Sequence, residues 1–267
     1  MRFLTIGDAT FHVEADLVEG APTVVCIHPL AADLRVFDAL AARLGGAGVG
    51  CLRYDLRGHG LSDLGEPPRL PDDHAADLSA LLDLAGVERA TICGVSIGGV
   101  VAQAFYRRRP DIVERLALVS TGAKIGAPEA WDQRIAAARA GGGVAAVAEG
   151  TLQRWFSAAE YAQGGGLVAL CRNMLSSTSL AGYEASCATL RDSDLTEGLE
   201  AIAVPTLCVA GAHGGSTPPD FVRAMHLKIP GSRFVTIPGA GHVAPLQQPE
   251  LFASCLLAFM GVGLQGL

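Results

Sequence analysis

Charge and aromatic side chains are scarce in this chain. Asp, Glu, Lys and Arg make up 18% of its 267 residues, and Phe, Trp and Tyr only 6%. Acidic residues outnumber basic ones, 27 to 20, giving a net charge of -7 with His neutral. No basic stripe exists to neutralise phosphates, which argues against a nucleic-acid partner. The one dense basic run, Arg107-Arg108-Arg109, precedes Pro110 and reads as a solvated helix end. No apolar run approaches bilayer-spanning length, so no membrane association is expected. Residues Met1 to Asp8 lack a signal-type apolar stretch, and Asp8 arrives early. The seven cysteines are odd in number and form no C-x-x-C pair. Cys26, Cys51, Cys93 and Cys208 sit inside apolar runs, where Cys behaves as a small buried hydrophobe. A reduced, cytoplasmic setting without cysteine-bound metal is expected.

What the chain does have is apolar substance: 50% hydrophobic residues, enough for a large core and too much for disorder. Short apolar runs alternate with amphipathic stretches, the signature of a mostly parallel sheet covered by helices. Strands are predicted at 2–6, 11–16, 23–28, 48–54, 90–96, 114–120, 205–211 and 233–238. The first two should form a hairpin across Gly7-Asp8-Ala9. Helices are predicted near 34–44, 72–85, 97–108, 218–228 and 249–260. Residues 123–190 break the rhythm, with no convincing strand and two Gly triplets, Gly141-Gly142-Gly143 and Gly164-Gly165-Gly166, as helix separators. This segment reads as a helical cap inserted into a core formed by 1–122 and 191–267.

One motif carries chemistry. In Gly94-Val95-Ser96-Ile97-Gly98 an apolar strand leads into Ser96 and an amphipathic helix leaves it, as in a nucleophile elbow. A phosphate-cradling loop would need a Gly-Lys-Ser/Thr end, which is missing. The helix N-terminus favours developing negative charge there, so the Ile97 amide is a candidate oxyanion-hole donor. A second donor should follow the strand at 23–28; Pro29 has no N–H, which leaves Leu30. His28 reads as an organiser of that loop rather than a base. The partners of an elbow serine follow in the order acid, then His. His242, in Gly239-Ala240-Gly241-His242-Val243 past the last strand, is the candidate base. The acid should lie in 211–219, and no carboxylate stands there. Asp220 follows two prolines and reads as a helix-start residue, so the acid role is unassigned.

On these residues the chain resembles the 3-oxoadipate enol-lactonases of the α/β-hydrolase superfamily. The likeness includes Tyr54-Asp55-Leu56-Arg57-Gly58-His59-Gly60-Leu61-Ser62-Asp63, the elbow through Gly99, and Ala123-Lys124-Ile125-Gly126. It continues in Trp131, Arg134 and Gly182-Tyr183-Glu184-Ala185-Ser186-Cys187. The resemblance implies an α/β-hydrolase fold: a mostly parallel eight-stranded sheet with flanking helices and an inserted helical cap. It also implies opening of an enol-lactone to 3-oxoadipate in aromatic catabolism, without metal or organic cofactor. The expected partner is therefore a small-molecule substrate. That substrate carries a carboxylate, for which Arg134 is the candidate cation and Trp131 an apolar wall. Where the family places its triad aspartate, two residues after Ala212, this chain has Gly214. A carboxylesterase or cofactor-free perhydrolase of the same fold is one rival reading, and a ligand-binding protein that lost its activity is another.

Overall fold

The computed structural model describes residues 2–68 and 70–263; the outer ends of the expected core segments, 1 and 264–267, lie outside them. Eight strands form one sheet in the order β1-β2-β4-β3-β5-β6-β7-β8. They are β1 (Arg2–Ile6), β2 (Ala9–Asp16), β3 (Thr23–Ile27), β4 (Gly50–Tyr54), β5 (Ala90–Val95), β6 (Val113–Val119), β7 (Thr206–Gly211) and β8 (Arg233–Ile237). The β1–β2 hairpin forms as expected, and β2 joins β4 antiparallel; every other pairing is parallel. The continuous apolarity of β3 and β5 has its physical cause in this topology: every residue of both strands is buried, as helices cover both faces of a parallel sheet. Cys26, Cys51, Cys93 and Cys208 are buried in β3, β4, β5 and β7 respectively, and all seven cysteines are free.

The helices are α1 (Asp38–Gly46), α2 (Pro71–Ala85), α3 (Ile97–Arg108), α4 (Pro128–Ala140), α5 (Ala145–Trp155), α6 (Ala158–Gln163), α7 (Gly166–Ser177), α8 (Leu180–Asp192), α9 (Pro219–His226), α10 (Ala244–Gln247) and α11 (Pro249–Met260). Several boundaries need correction, among them β2, expected from 11, which begins at Ala9. The strand expected from 48 begins at Gly50, and the helix expected from 34 opens as a 3-10 turn, Leu34–Phe37, with α1 starting only at Asp38. The turn is set by side chains: Asp33 accepts the Arg35 amide, and the buried Asp55 Oδ1 takes the Leu34 amide at 2.7 Å. No helix among the described residues is long and apolar enough to cross a membrane.

Helices α4 to α8 fill the stretch between β6 and β7, with the two Gly triplets lying where α4 gives way to α5 and α6 to α7. Here α4 packs on α8 and α5 on α7. Polar contacts fasten this insert to the sheet layer. Ser179 Oγ donates to the Gly58 carbonyl at 3.0 Å, and the Gly215 amide donates to the Arg154 carbonyl at 3.0 Å. On the core side, Asp55 Oδ2 accepts from His12 Nδ1 at 2.8 Å and from the Leu61 amide at 2.9 Å, while Arg57 grips Asp77 through two bonds. The Asp55–Asp63 stretch is therefore an architectural clasp. It leaves the loops after β3, β5, β6, β7 and β8 together at the carboxyl ends of the parallel strands, where ligands bind in open α/β sheets.

Candidate active site

Ser96 sits between β5 and α3 with φ 57° and ψ -117°, a left-handed conformation that side chains rarely tolerate. The surroundings enforce it. The Ser96 amide donates to the Val119 carbonyl at 2.9 Å, and Thr121 Oγ1 donates to the Ser96 carbonyl at 2.7 Å. A Cβ at Gly94 would stand 2.1 Å from the Gly98 carbonyl oxygen, and one at Gly98 would stand 2.2 Å from that of Ile27. No side chain fits at either position. Among the described residues the other non-glycine positions with positive φ are Ala31 (58°) and Ser120 (45°). All three flank one site, which is where backbone strain tends to collect in folded proteins.

Ser96 and His242 line one cavity of about 100 Å³, together with Leu30, Trp131, Arg134 and Trp155. A larger groove of about 930 Å³ lies along α4 and α8, but its charged walls are ion-paired (Arg139 with Glu184, Arg191 with Asp132), and neither Ser96 nor His242 reaches it. Of the two, only the smaller cavity brings a serine, a histidine and an unpaired cation together. The amides of Leu30 and Ile97, the expected oxyanion donors, make no hydrogen bond among the described residues. His28 fixes the Leu30 loop as expected: its Nδ1 bonds the Pro29 carbonyl at 2.8 Å, and its Nε2 accepts the Leu56 amide at 2.9 Å.

His242 is buried, and its backbone amide donates to the Trp155 carbonyl at 2.8 Å. Gln247 Oε1 accepts the amides on either side of it, from Gly241 at 3.1 Å and Val243 at 3.0 Å. The Trp155 ring lies 5.9 Å from the imidazole, centre to centre. The Nδ1 atom faces Thr217 Oγ1 at 3.2 Å, and Thr217 Oγ1 in turn donates to the Ser120 carbonyl at 2.8 Å. Burial, then the nearby cations Arg134 and Arg154, push the His242 pKa down to about 3. No carboxylate among the described residues contributes.

The turn at Gly214 accounts for that. Its backbone is held by the Gly214 amide on the Gly211 carbonyl (3.2 Å) and the His213 amide on the Ala240 carbonyl (2.8 Å). A Cβ at Gly214 would meet three carbonyl oxygens at 3.5 Å, ordinary contact distance, and its φ is unstrained. A Cβ fits there. Asp220 is exposed in the first turn of α9, as expected of a helix-start residue.

Trp131 is buried, its Nε1 donating to the Ile125 carbonyl at 2.6 Å, and the Arg134 guanidinium lies 4.7 Å above its ring. Arg134 makes no ion pair with a carboxylate among the described residues. Three participants escaped the sequence reading: Thr217, Trp155 and Arg154. Arg154 is half-buried with an Nε that finds no partner among the described residues, and burial pushes its pKa down. Nothing in the spacing around Thr217 marks its partner.

Residues 24–254 match the α/β hydrolase family. The chain belongs to that family. As an α/β hydrolase it is 30% identical to 3-oxoadipate enol-lactonase 2 of Acinetobacter baylyi, over 78% of this chain and 77% of that protein. The crystal structure of the enol-lactonase from Burkholderia xenovorans LB400 superposes with a TM-score of 0.92 at 30% identity, covering 97% of this chain and 100% of that one. A hydrolase from Pseudomonas aeruginosa PA01 is equally close in fold, with a TM-score of 0.92, 33% identity and coverage of 97% and 98%. The resemblance read from the motifs thus extends to the whole architecture, and this α/β hydrolase is a hydrolytic enzyme by family.

Proposed function

We propose that the chain is a serine hydrolase that opens a small carboxylated lactone, with 3-oxoadipate enol-lactone the expected substrate in cytoplasmic aromatic catabolism. The observation that carries the reading is the single cavity shared by Ser96, His242, Trp131 and Arg134. At about 100 Å³ it suits a compact substrate rather than the drug-sized ligands of pockets of roughly 300–1,000 Å³. Segment 123–190 acts as the cap, carrying Arg134 and Trp131 over a core made of 1–122 and 191–267.

Ser96 Oγ attacks the lactone carbonyl carbon while His242 Nε2 takes its proton, and the Leu30 and Ile97 amides hold the oxyanion. The ring C–O bond then breaks as His242 passes that proton to the enol oxygen, and the enol, still tethered to the acyl chain held on Ser96, tautomerises to the ketone. A water, deprotonated by His242, attacks the acyl carbon and frees Ser96. Arg134 pairs with the substrate carboxylate while Trp131 walls the ring. Each step needs only these side chains and water.

The test follows the fall of enol-lactone ultraviolet absorbance for the parent and Ser96→Ala. Loss of at least about 10³-fold is expected in the variant; equal rates would overturn the mechanism. A panel of neutral aryl esters run alongside separates a general esterase, which would prefer them. The absence of any carboxylate beside His242 favours one second reading, binding without turnover. It predicts that a fluorophosphonate leaves Ser96 unlabelled, whereas the hydrolase reading predicts labelling.

A further inference from the structure

A triad carboxylate does two things: it fixes the imidazole tautomer and orientation, and it stabilises the imidazolium. The first of these needs only a hydrogen-bond acceptor at Nδ1. In this protein one is built. Thr217 is buried, its position set by the rigid Pro218-Pro219 that follow it and open α9. A hydroxyl has one proton, and that of Thr217 is committed to the Ser120 carbonyl, which can only accept. Ser120 presents this carbonyl by bending out of β6 into a left-handed backbone, φ 45°. The remaining lone pairs of Thr217 Oγ1 face His242 Nδ1 at 3.2 Å and can only accept from it. Held this way, the ring keeps its proton on Nδ1 and a free lone pair on Nε2.

We propose that Thr217 replaces the missing triad carboxylate as a positioning residue, its hydroxyl relay to the Ser120 carbonyl locking His242 in the tautomer that can take the Ser96 proton. The role builds on the Ser96–His242 hydrolase reading. Thr217 supplies orientation without charge, since a neutral acceptor bonds about half as strongly as an ionised one.

Two measurements test it. The first places Thr217→Val and Thr217→Ser in both the parent and a Gly214→Asp background and determines kcat and KM. In the parent, the valine variant should lose about 10- to 100-fold in kcat with KM within about twofold, and the serine variant should stay within about threefold. In the Gly214→Asp background the new carboxylate takes over the Nδ1 bond, and the valine cost should shrink to under about threefold, a non-additivity expected of residues serving one group. The relay is overturned if the valine variant matches the parent, if serine loses as much as valine, or if the valine cost persists in the Gly214→Asp background. The second is nitrogen-15 NMR of His242 in the parent, which needs no variant to fold. A proton on Nδ1 is expected; one on Nε2 overturns the proposal. A parent without Ser96-dependent hydrolysis would sink the hydrolase reading, and the NMR result would still decide the tautomer.

Discussion

The turn after β5 and the turn after β7 meet at the same ends of the sheet, and they are built to opposite standards. Around Ser96 the backbone is strained and packed so closely that Cβ atoms at Gly94 or Gly98 would collide with carbonyl oxygens. Around Gly214 the backbone is relaxed, hydrogen-bonded on its own account, and roomy enough for a Cβ. In the first turn the strained backbone and the placement of Ser96 at the cavity go together. The second turn carries no carboxylate and stands on its own backbone hydrogen bonds. An active site can therefore lose a side chain at no structural cost where the turn does not depend on that side chain.

Restoring the carboxylate should have the largest effect. Gly214→Asp should raise kcat by roughly 10²–10⁴, the scale on which losing a triad aspartate acts, whereas Gly214→Asn, similar in shape but uncharged, should gain little. Steady-state kinetics on the enol-lactone decides it, and a gain shared by both variants would show that charge is not what the turn lacks. The opposite change belongs to the other turn. Gly98→Ala should cost about 10²-fold in kcat/KM and about 1–3 kcal/mol of stability, measured by kinetics and urea unfolding, because the elbow must move to admit the methyl group. An innocuous Gly98→Ala would erase the distinction between the turns.

Arg134→Ala should raise KM for the carboxylated lactone about 10-fold or more while leaving neutral aryl esters nearly unchanged, since one charge-assisted bond is lost. The pH profile is a gentler probe. With His242 pushed down to about 3 by burial and by Arg134 on α4 and Arg154 on α5, the ring is neutral above about pH 4 and stays available as a base. The parent's kcat/KM should therefore be flat from about pH 5 to 8, and Gly214→Asp, which favours the imidazolium, should move the acid limb upward. A downward move would contradict this electrostatic picture. The smallest effect belongs to Asp220→Asn: unchanged kcat and at most about 0.5 kcal/mol of stability by thermal melting, as for an exposed residue at a helix start. A large loss of activity would make Asp220 a displaced acid.

Much of this was legible in the residues. Short apolar runs marked the strands, β3 and β5 among them, and the Gly-x-Ser-x-Gly pattern marked the elbow because its backbone leaves no room for a Cβ at Gly94 or Gly98. The gap at 214 was readable too, by counting from Ala212. What stayed hidden depends on pairings across the chain. Thr217 meets His242 from 25 positions away and Ser120 from 97 positions away, and no local period encodes such distances. Trp155 and Arg154 reach the site through the fold of the helical insert. The 3-10 opening at Leu34 was hidden for the same reason, since its cause is Asp55, 21 residues along the chain.

The relaxed Gly214 turn has an evolutionary consequence. Two of the four glycine codons become aspartate codons by one base change, and no neighbouring residue would have to change first, because the turn already accepts a Cβ. From either of those codons, Gly and Asp at position 214 stand one base apart in both directions, on a turn whose backbone admits a Cβ, whereas at Gly98 even a Cβ would meet the Ile27 carbonyl oxygen at 2.2 Å.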